Sequence, residues 1–500
     1  MRVSDKIGVE EIKSWENGDV VTIQAGTGRG KSYFVKNTLY EHAKSNGERI
    51  LMLLHRKNTL DQFSMEIHSD SKDGVIKLVT YQKVESLATK LRSFDLNKYK
   101  YIICDEFHYF MSDAAFNKYT DISLNRILGT NSIKVLMSAT GDYVKEYINQ
   151  IKGNDTIDYS FPADYEFIKQ LRFFHKKHTF NDLLDEAISN EDKTILFMDS
   201  AQDALELHKK YKDKSMFVCS KSNKLYRHVD EEKLNQLLYE EKFHDLILIT
   251  TTALDAGVNI NDHSLHNIIC DVRDIGTLTQ CIGRKRLQDE DDYINLTIKS
   301  VTNQVLGGMK TQAQKKLEKA NYLRKNSVED YVKKYGKESD NFHLVYDVAV
   351  DGYKDKSTKK VNDLIYYKTR VDISIINKMR KLGKFGYCKY IAKEFGFYLP
   401  EFKLYDYVVI EEENKSKTLE EYLEENLGEV MLTSTDRKEL IEKINVKQNG
   451  KLLKSKNILN AALDEQGFNY YIKQFQTSRV VNGKKKNFKS AWKIMKLVDE

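Results

Sequence analysis

Residues 25 to 32 read Ala25-Gly26-Thr27-Gly28-Arg29-Gly30-Lys31-Ser32, with the apolar run Val20-Val21-Thr22-Ile23 before them and a helical stretch from Tyr33-Phe34-Val35 to Ala43 behind. A buried strand, a turn with three glycines and a helix, in that order, point to a parallel α/β sheet whose first loop grips phosphate. The glycines let backbone N–H groups turn inward onto phosphate oxygens at the positive end of the helix. Lys31 has the reach for the β and γ phosphates of a nucleotide, and the Ser32 hydroxyl suits Mg2+. All residues from Ala25 to Ser32 are therefore candidate nucleotide contacts, although the general pattern has glycine where Ala25 stands.

The strand and helix rhythm continues. Apolar runs at Val20 to Ile23, Ile50 to Leu54, Val75 to Val79, Tyr101 to Cys104 and Lys134 to Met137 alternate with helical stretches. After Pro162 the rhythm restarts, at Thr194 to Met198, Met216 to Cys219, Leu246 to Ile249, Ile268 to Cys270 and Ile294 to Ile298. An α/β fold of two tandem parallel sheets, with a cleft between them, is the expected architecture. At 500 residues, 41% hydrophobic and 31% charged, the chain has material for about three domains of ~150 residues. The expected limits are 1–162 and 163–304 for the two sheets, 305–430 for a helical, basic extension and 431–500 for a small mixed α/β module.

Asp105-Glu106-Phe107-His108 directly follows the run that ends at Cys104. Acids at the carboxyl end of a strand in such a sheet point into the ligand crevice. Mg2+ takes oxygen ligands alongside phosphates, so Asp105 is a candidate metal ligand together with Ser32. Glu106 is a candidate to orient and deprotonate an attacking water. A helix N-cap is the other common use of an Asp after a strand; the glycine-rich turn upstream favours chemistry.

The turn of form A-x-x-G-x-G-K-S, followed by D-E-x-H at 105–108 and by Ser138-Ala139-Thr140, resembles the superfamily 2 helicases of DExH type. His55-Arg56-Lys57 with Leu60 and Gln62 is similar to the family's motif Ia, and Thr80-Tyr81-Gln82 to the strand-contacting motif between Ia and II. In the second half, Ile195 to Ser200 is similar to motif IV, Thr251 to Asn259 to motif V, and Gln280-Cys281-Ile282-Gly283-Arg284-Lys285-Arg286 to motif VI. The resemblance covers roughly residues 8 to 300. It implies two RecA-like domains, ATP and Mg2+ in the cleft between them, and a nucleic-acid strand, DNA or RNA, across both. Ala25 is the form this family usually shows.

By the same resemblance, Gln280 helps fix the γ-phosphate and water, Arg284 touches phosphate, and a second arginine acts as a finger across the cleft. Here the chain departs from the family. Its two arginines commonly lie three apart, but three after Arg284 stands Leu287, and the nearest second arginine is Arg286. On a helix a two-residue offset sends the side chain out from a different face, so Arg286 is open to two readings, the finger or a nucleic-acid or surface contact. Asp255 and Gly257 are expected to line the nucleotide. His108, Ser138, Ala139 and Thr140 are expected to couple hydrolysis to movement, with a structural histidine as the competing reading at 108. Arg56, Thr80 and Thr251 are expected to hold the nucleic-acid backbone, contacts that carry no sequence information.

Composition narrows the class further. No apolar run approaches the ~18 residues of a membrane span, and Met1 to Lys6 lacks the apolar segment of a secretory signal, so a cytoplasmic location without a membrane partner is expected. Cys104, Cys219, Cys270, Cys281 and Cys388 form no C-x-x-C pair, which argues against structural zinc, an iron–sulfur cluster or a disulfide framework. The formal charge of +6, from 80 basic and 74 acidic side chains, names no partner, but its distribution is uneven. Lysines crowd residues 305 to 345, interleaved with Tyr322 and Tyr331, a mixture that suits either a solvated helix or a base-stacking surface. Glutamates crowd 411 to 429, read as a helix and connector.

Beyond that connector, helices at Asp436 to Ile444 and Ser455 to Gln466, a strand at Phe468 to Phe475, an Asn482-Gly483 turn and a return strand at Trp492 to Leu497 look like a winged-helix module. Lys484, Lys485 and Lys486 at its hairpin tip would rest on a phosphate backbone; a packing domain with a merely soluble turn is the competing reading. An ATP-dependent helicase or translocase is the expected function. The alternatives are the motor subunit of a restriction or defence complex, and an ATP-regulated clamp or annealing protein that does not unwind.

Overall fold

Each apolar run singled out between residues 20 and 298 is a strand. The computed structural model describes residues 2–26, 28–55, 57–89, 94–112, 117, 119–162, 164–252, 258–337, 344–349, 357–448, 450–481 and 484–497. Strands β1 (Val20–Ala25), β2 (Ile50–Leu54), β3 (Ile76–Thr80), β4 (Tyr101–Asp105), β5 (Ile133–Ser138) and β6 (Thr156–Phe161) form a parallel sheet in the order β3-β2-β4-β5-β1-β6. Strand β5 thus lies between β1 and β4, with Ser138 level with Gln24 and Met137 level with Asp105. The glycine-rich turn and the acid pair therefore emerge on either side of Ser138.

Successive residues of β2 and most of those of β4 are apolar because both faces are covered. Ile50, Met52 and Leu54 pack with Val21, Ile23 and Phe34 on one face, and Leu51 and Leu53 pack with Tyr81, Phe107 and Leu136 on the other. Each such buried aliphatic side chain contributes about 1.5–3 kcal/mol.

The second sheet takes β7 (Ile168–Phe174), β8 (Lys193–Met198), β9 (Ser215–Val218), β10 (Ile247–Thr251), β11 (Leu265–Asp271) and β12 (Ile294–Lys299), all parallel, in the order β7-β12-β11-β8-β10-β9. Strands β6 and β7, which flank Pro162, have no counterpart among the predicted ones. Asp158 and Ser160 alternate with apolar residues in β6, and Lys169, Gln170 and Arg172 interrupt β7, so neither reads as an apolar run.

Residues 303–405 add no strand to either sheet among the described residues but pack against both halves. Ala320, Tyr331, Leu344, Val345, Val361 and Leu364 complete one core of the first sheet, and the Tyr346 hydroxyl donates to Asp121 Oδ2 at 3.3 Å. Tyr322 and Tyr331, weighed above as a stacking surface, are packing residues: Tyr331 is buried, and Tyr322 lies against the same core. The helix Asp363–Lys381 packs on the helices Tyr109–Ser112, Thr120–Leu128 and Asp142–Tyr147 of the first half. It turns tightly into the helix Gly386–Glu394, where a Cβ on Gly386 would stand 2.0 Å from the Met379 carbonyl oxygen. Tyr387 and Phe395 then meet Phe173 and Tyr165 of the second half, with ring centroids 6.4 and 4.8 Å apart.

The chain divides into two compact units, Met1–Tyr407 and Val408–Glu500. The second unit holds the helices Ile410–Glu425, Lys438–Ile444 and Lys456–Glu465 and a three-stranded antiparallel sheet. In that sheet, Val430–Met431 pairs with the second strand of the hairpin formed by Tyr470–Val481 and Lys484–Lys496. Leu419 and Leu423 share a core with Leu440, Leu459 and Trp492. The glutamate-rich stretch is therefore the first helix of this unit rather than a connector, and the unit begins at 408 rather than 431. Its hairpin is one long pair with Val481 opposite Lys484; Asn482 and Gly483 lie outside the described residues. Among the described residues, no helix is long and apolar enough to cross a membrane.

Candidate nucleotide site between the two sheets

Strand β1 ends at Ala25, and Gly28 and Gly30 follow at φ +80° and +82°, a conformation that residues with a Cβ rarely adopt. The helix starts at Lys31, with Ser32 in its first turn, and runs to Ser45 through a π-helical stretch at Phe34–Leu39. The N-terminal segment buttresses this turn: Val3 N donates to Arg29 O at 2.9 Å, and Arg2 packs over Gly30. Lys31 is buried, its Nζ donating to Ala25 O at 2.8 Å and Gly26 O at 3.3 Å. Thr27, the remaining member of the turn, lies outside the described residues.

Asp105 is the last residue of β4, and Glu106 follows at φ +50°. A glutamate in the left-handed region costs on the order of 1–3 kcal/mol and persists only where its surroundings hold it. Here they do. Gln280 Nε2 donates to His108 Nε2 at 2.6 Å, which leaves the ring proton on Nδ1. That N–H donates to Ser138 Oγ at 2.8 Å and lies 3.3 Å from Glu106 Oε2. Ser138 in turn donates to Glu106 Oε2 at 3.4 Å and accepts from Thr140 N at 3.1 Å. A chain of hydrogen bonds thus starts in the second half and ends on the Glu106 carboxylate.

The electrostatics divide the two acids. Burial alone would raise Glu106, but Lys31, the His108 N–H and Arg284 outweigh it and hold its carboxyl well below the usual carboxylate range. Asp105 is pushed up to about 7 by burial and by the charge of Glu106, against the pull of Lys31. A buried lysine, a hydroxyl in the first turn of the helix and a carboxyl at the end of β4 are the donor set that a polyphosphate and a divalent cation use, so the residues present fit Mg-nucleotide.

The far wall comes from the helix Ile275–Ile282, which stops before the arginines. Arg284 closes the turn after that helix, its N–H donating to Cys281 O at 3.2 Å, and Lys285 forms a single bridge to Ile260: Ile260 N donates to Arg284 O at 2.8 Å and Arg286 N to Ile260 O at 2.9 Å. Lys285 is buried against Asp292 Oδ2 and Asp262 O, each at 2.6 Å, while Arg284 and Arg286 on either side of it are only half-buried. The helical offset expected for Arg286 does not apply. Both arginines act electrostatically on Glu106. Burial and Arg284 draw Arg286 down to about 10, with Glu241 and Glu106 pulling the other way.

Other expected residues fall as follows. Gln280 sits on His108. Thr140 lies against Gly276 on the far wall, where a Cβ would stand 3.6 Å from its Oγ1, and Ala139 is half-buried beside it. The Thr80 hydroxyl accepts from Lys83 N at 3.2 Å, capping the helix Tyr81–Thr89, and Thr251 is buried at the end of β10. Arg56, Asp255 and Gly257 lie outside the described residues, as do the side chains of Lys484 and Lys485; Lys486 is exposed. Sequence reasoning gave no role to Gly141, where an added Cβ would stand 2.0 Å from the Phe107 ring, to Glu241, or to Asn259 beyond its place at the end of the motif V match; the last two stand behind Arg286. A polar Asn259 between Val258 and Ile260 was the one available signal.

No protein-family model matches the chain, and no curated protein matches it. Among solved structures it is similar to S. cerevisiae Dbp5 bound to RNA and ADP BeF3, at 18% identity over 57% of this chain and 79% of that one, with a TM-score of 0.43. It is similar to the DEAD-box helicase Mss116 bound to ssRNA and UDP-BeF, at 13% identity over 76% and 90% with a TM-score of 0.45. It is also similar to the Escherichia coli DEAH/RHA helicase HrpB, at 12% identity over 60% and 42% with a TM-score of 0.40. At these values the fold rests on the chain's own strand order: two parallel α/β sheets in tandem, with the glycine-rich turn and acid pair of one facing the glutamine and arginines of the other.

Proposed function

We propose that the chain is an ATP-dependent motor on nucleic acid, of the kind represented by superfamily 2 helicases, with the nucleotide held between its two sheets. The observation that supports this best is the hydrogen-bond chain from Gln280 through His108 and Ser138 to Glu106, because it ties the carboxylate that would activate water to the meeting of the two walls. Mg-ATP, when bound, supplies the phosphoryl group and a neutralising cation. The N–H groups of residues 26–32 and Lys31 bind phosphate, with Asp255 and Gly257 lining the nucleotide; Ser32 and Asp105 hold the metal. Glu106, kept ionised by Lys31 and His108, orients a water and takes its proton. Arg284 and Arg286 bring positive charge from the far wall to where negative charge develops. Lys31 on one wall and these arginines on the other are like charges that an anion between them reconciles, so closure depends on what the cleft holds.

Grip on a nucleic-acid backbone is assigned to Arg56, Thr80, Thr251 and the hairpin lysines 484–486, with the unit from 408 acting as a winged-helix-like module. His108, Ser138, Ala139 and Thr140 couple closure to that grip. ATPase assays with single-stranded and duplex DNA and RNA test the proposal: hydrolysis rises several-fold with at least one of them, and the absence of stimulation by any polynucleotide overturns it. Strand displacement separates this motor from a clamp, which would bind in an ATP-dependent way and displace nothing.

A further inference from the structure

Arg286 is held by two residues that the reading above does not use. Its Nε and Nη2 both donate to Asn259 Oδ1, at 2.9 and 2.6 Å. The Asn259 amide nitrogen donates to Glu241 Oε1 at 3.4 Å. Glu241 is itself fixed, its other oxygen accepting from Asn261 Nδ2 and its carbonyl accepting from Asn261 N at 2.7 Å. It sits at φ +53° just past the helix Glu231–Glu240, a left-handed conformation that a residue with a Cβ adopts only when held there.

The chemistry of this relay is specific. A carboxylate touching Arg286 would fix the guanidinium and also neutralise it. An amide oxygen fixes it and leaves its charge intact, and the carboxylate one step further back decides which way the amide faces. We propose that Asn259, oriented by Glu241, is the positioning residue that aims Arg286 into the nucleotide cleft with its charge unquenched. The downward pull of burial and of Arg284 on Arg286 agrees, marking a cation short of counter-charge. The inference rests on the proposed ATPase and on Arg286 as the trans-cleft cation.

The test compares steady-state ATP hydrolysis by the full chain with that of Arg286→Ala, Asn259→Ala, Asn259→Asp, Glu241→Gln and the double variant Asn259→Ala with Arg286→Ala. Affinities for ADP-aluminium fluoride and for a non-hydrolysable ATP analogue are measured in parallel. Asn259→Ala is expected to lower kcat by about 10- to 100-fold with KM for ATP nearly unchanged. It should weaken the aluminium fluoride complex in the same proportion, spare the ATP analogue and add nothing to Arg286→Ala. Glu241→Gln, which leaves the site filled, is expected to lower kcat several-fold. Asn259→Asp keeps an acceptor and is expected to stay slow; a merely structural role would be rescued by this stronger partner, so a wild-type rate in Asn259→Asp overturns the inference. A wild-type rate in Asn259→Ala, or losses that add in the double variant, overturns it as well. A silent Arg286→Ala in an active protein overturns the arginine assignment beneath it, and a wild-type chain that hydrolyses nothing overturns the proposed function itself.

Discussion

The two walls of the cleft are built on opposite plans. On the first, the chemical groups follow closely on strand ends: the turn from Gly26 to Ser32 after β1, Asp105 to His108 at the end of β4, Ser138 at the end of β5. Distance along the chain there maps directly onto distance in space. On the second, Gln280 leaves from a helix, Arg284 from the turn that ends it and Arg286 from just past the residue that bridges Ile260. A spacing has a meaning only once the period of the backbone that carries it is known, 3.6 residues or 2.

The largest effect should come from the first wall. Lys31→Ala or Glu106→Gln is expected to reduce nucleic-acid-stimulated ATP hydrolysis by about 10³-fold or more, read by phosphate release. A more pointed break of the comparison is to insert one alanine between Arg284 and Lys285. This restores a three-residue spacing, but it shifts the second arginine one place along the bridge to Ile260 and so takes it off the hydrogen bond that sets its present direction. The expected result is a loss approaching that of Arg286→Ala, about 10²- to 10³-fold; a rate at or above wild type would show that the segment works as a helix.

Gly141→Ala probes the first wall more gently, because the new Cβ would stand 2.0 Å from the ring of Phe107, between Glu106 and His108. We expect a stability loss of about 1–3 kcal/mol in thermal melts with a lowered kcat, and an unchanged melt would mean that the ring swings clear. The smallest effect concerns Asp121, away from both walls. Burial lifts its carboxyl above the usual range despite the Tyr346 hydroxyl and Lys360, and its Oδ1 has no hydrogen-bond partner among the described residues. An acid with a raised folded-state pKa binds its proton more tightly folded than unfolded, so stability falls as pH climbs from about 4 through that pKa. Asp121→Asn should therefore melt about 2 °C above wild type at pH 8, with the gap closing towards pH 4.

Much of the first wall was legible because its signals are local. Three glycines between an apolar run and a helix, or two acids after Cys104, need no knowledge of the rest of the fold. The parallel strands buried on both faces were legible for the same reason, whereas β6 and β7, with polar residues breaking their apolar pattern, were not. The hold on Arg286 was illegible because it is made by residues 241 and 259, each distant in sequence and each ordinary alone. The tyrosines of 322 and 331 misled for a related reason: interleaved cations and aromatics look alike whether the rings face solvent or, as here, a core.

The helices Asp363–Lys381 and Gly386–Glu394 join the halves a second time, apart from the segment around Pro162. One connection makes a ball joint, free to swing and twist; two make a door. Two attachments restrict how the walls can move apart and give each a high effective concentration for the other. For the proposed motor this means that opening and closing of the cleft would follow a restricted path, set by where the second attachment lies as well as by the contacts across the cleft.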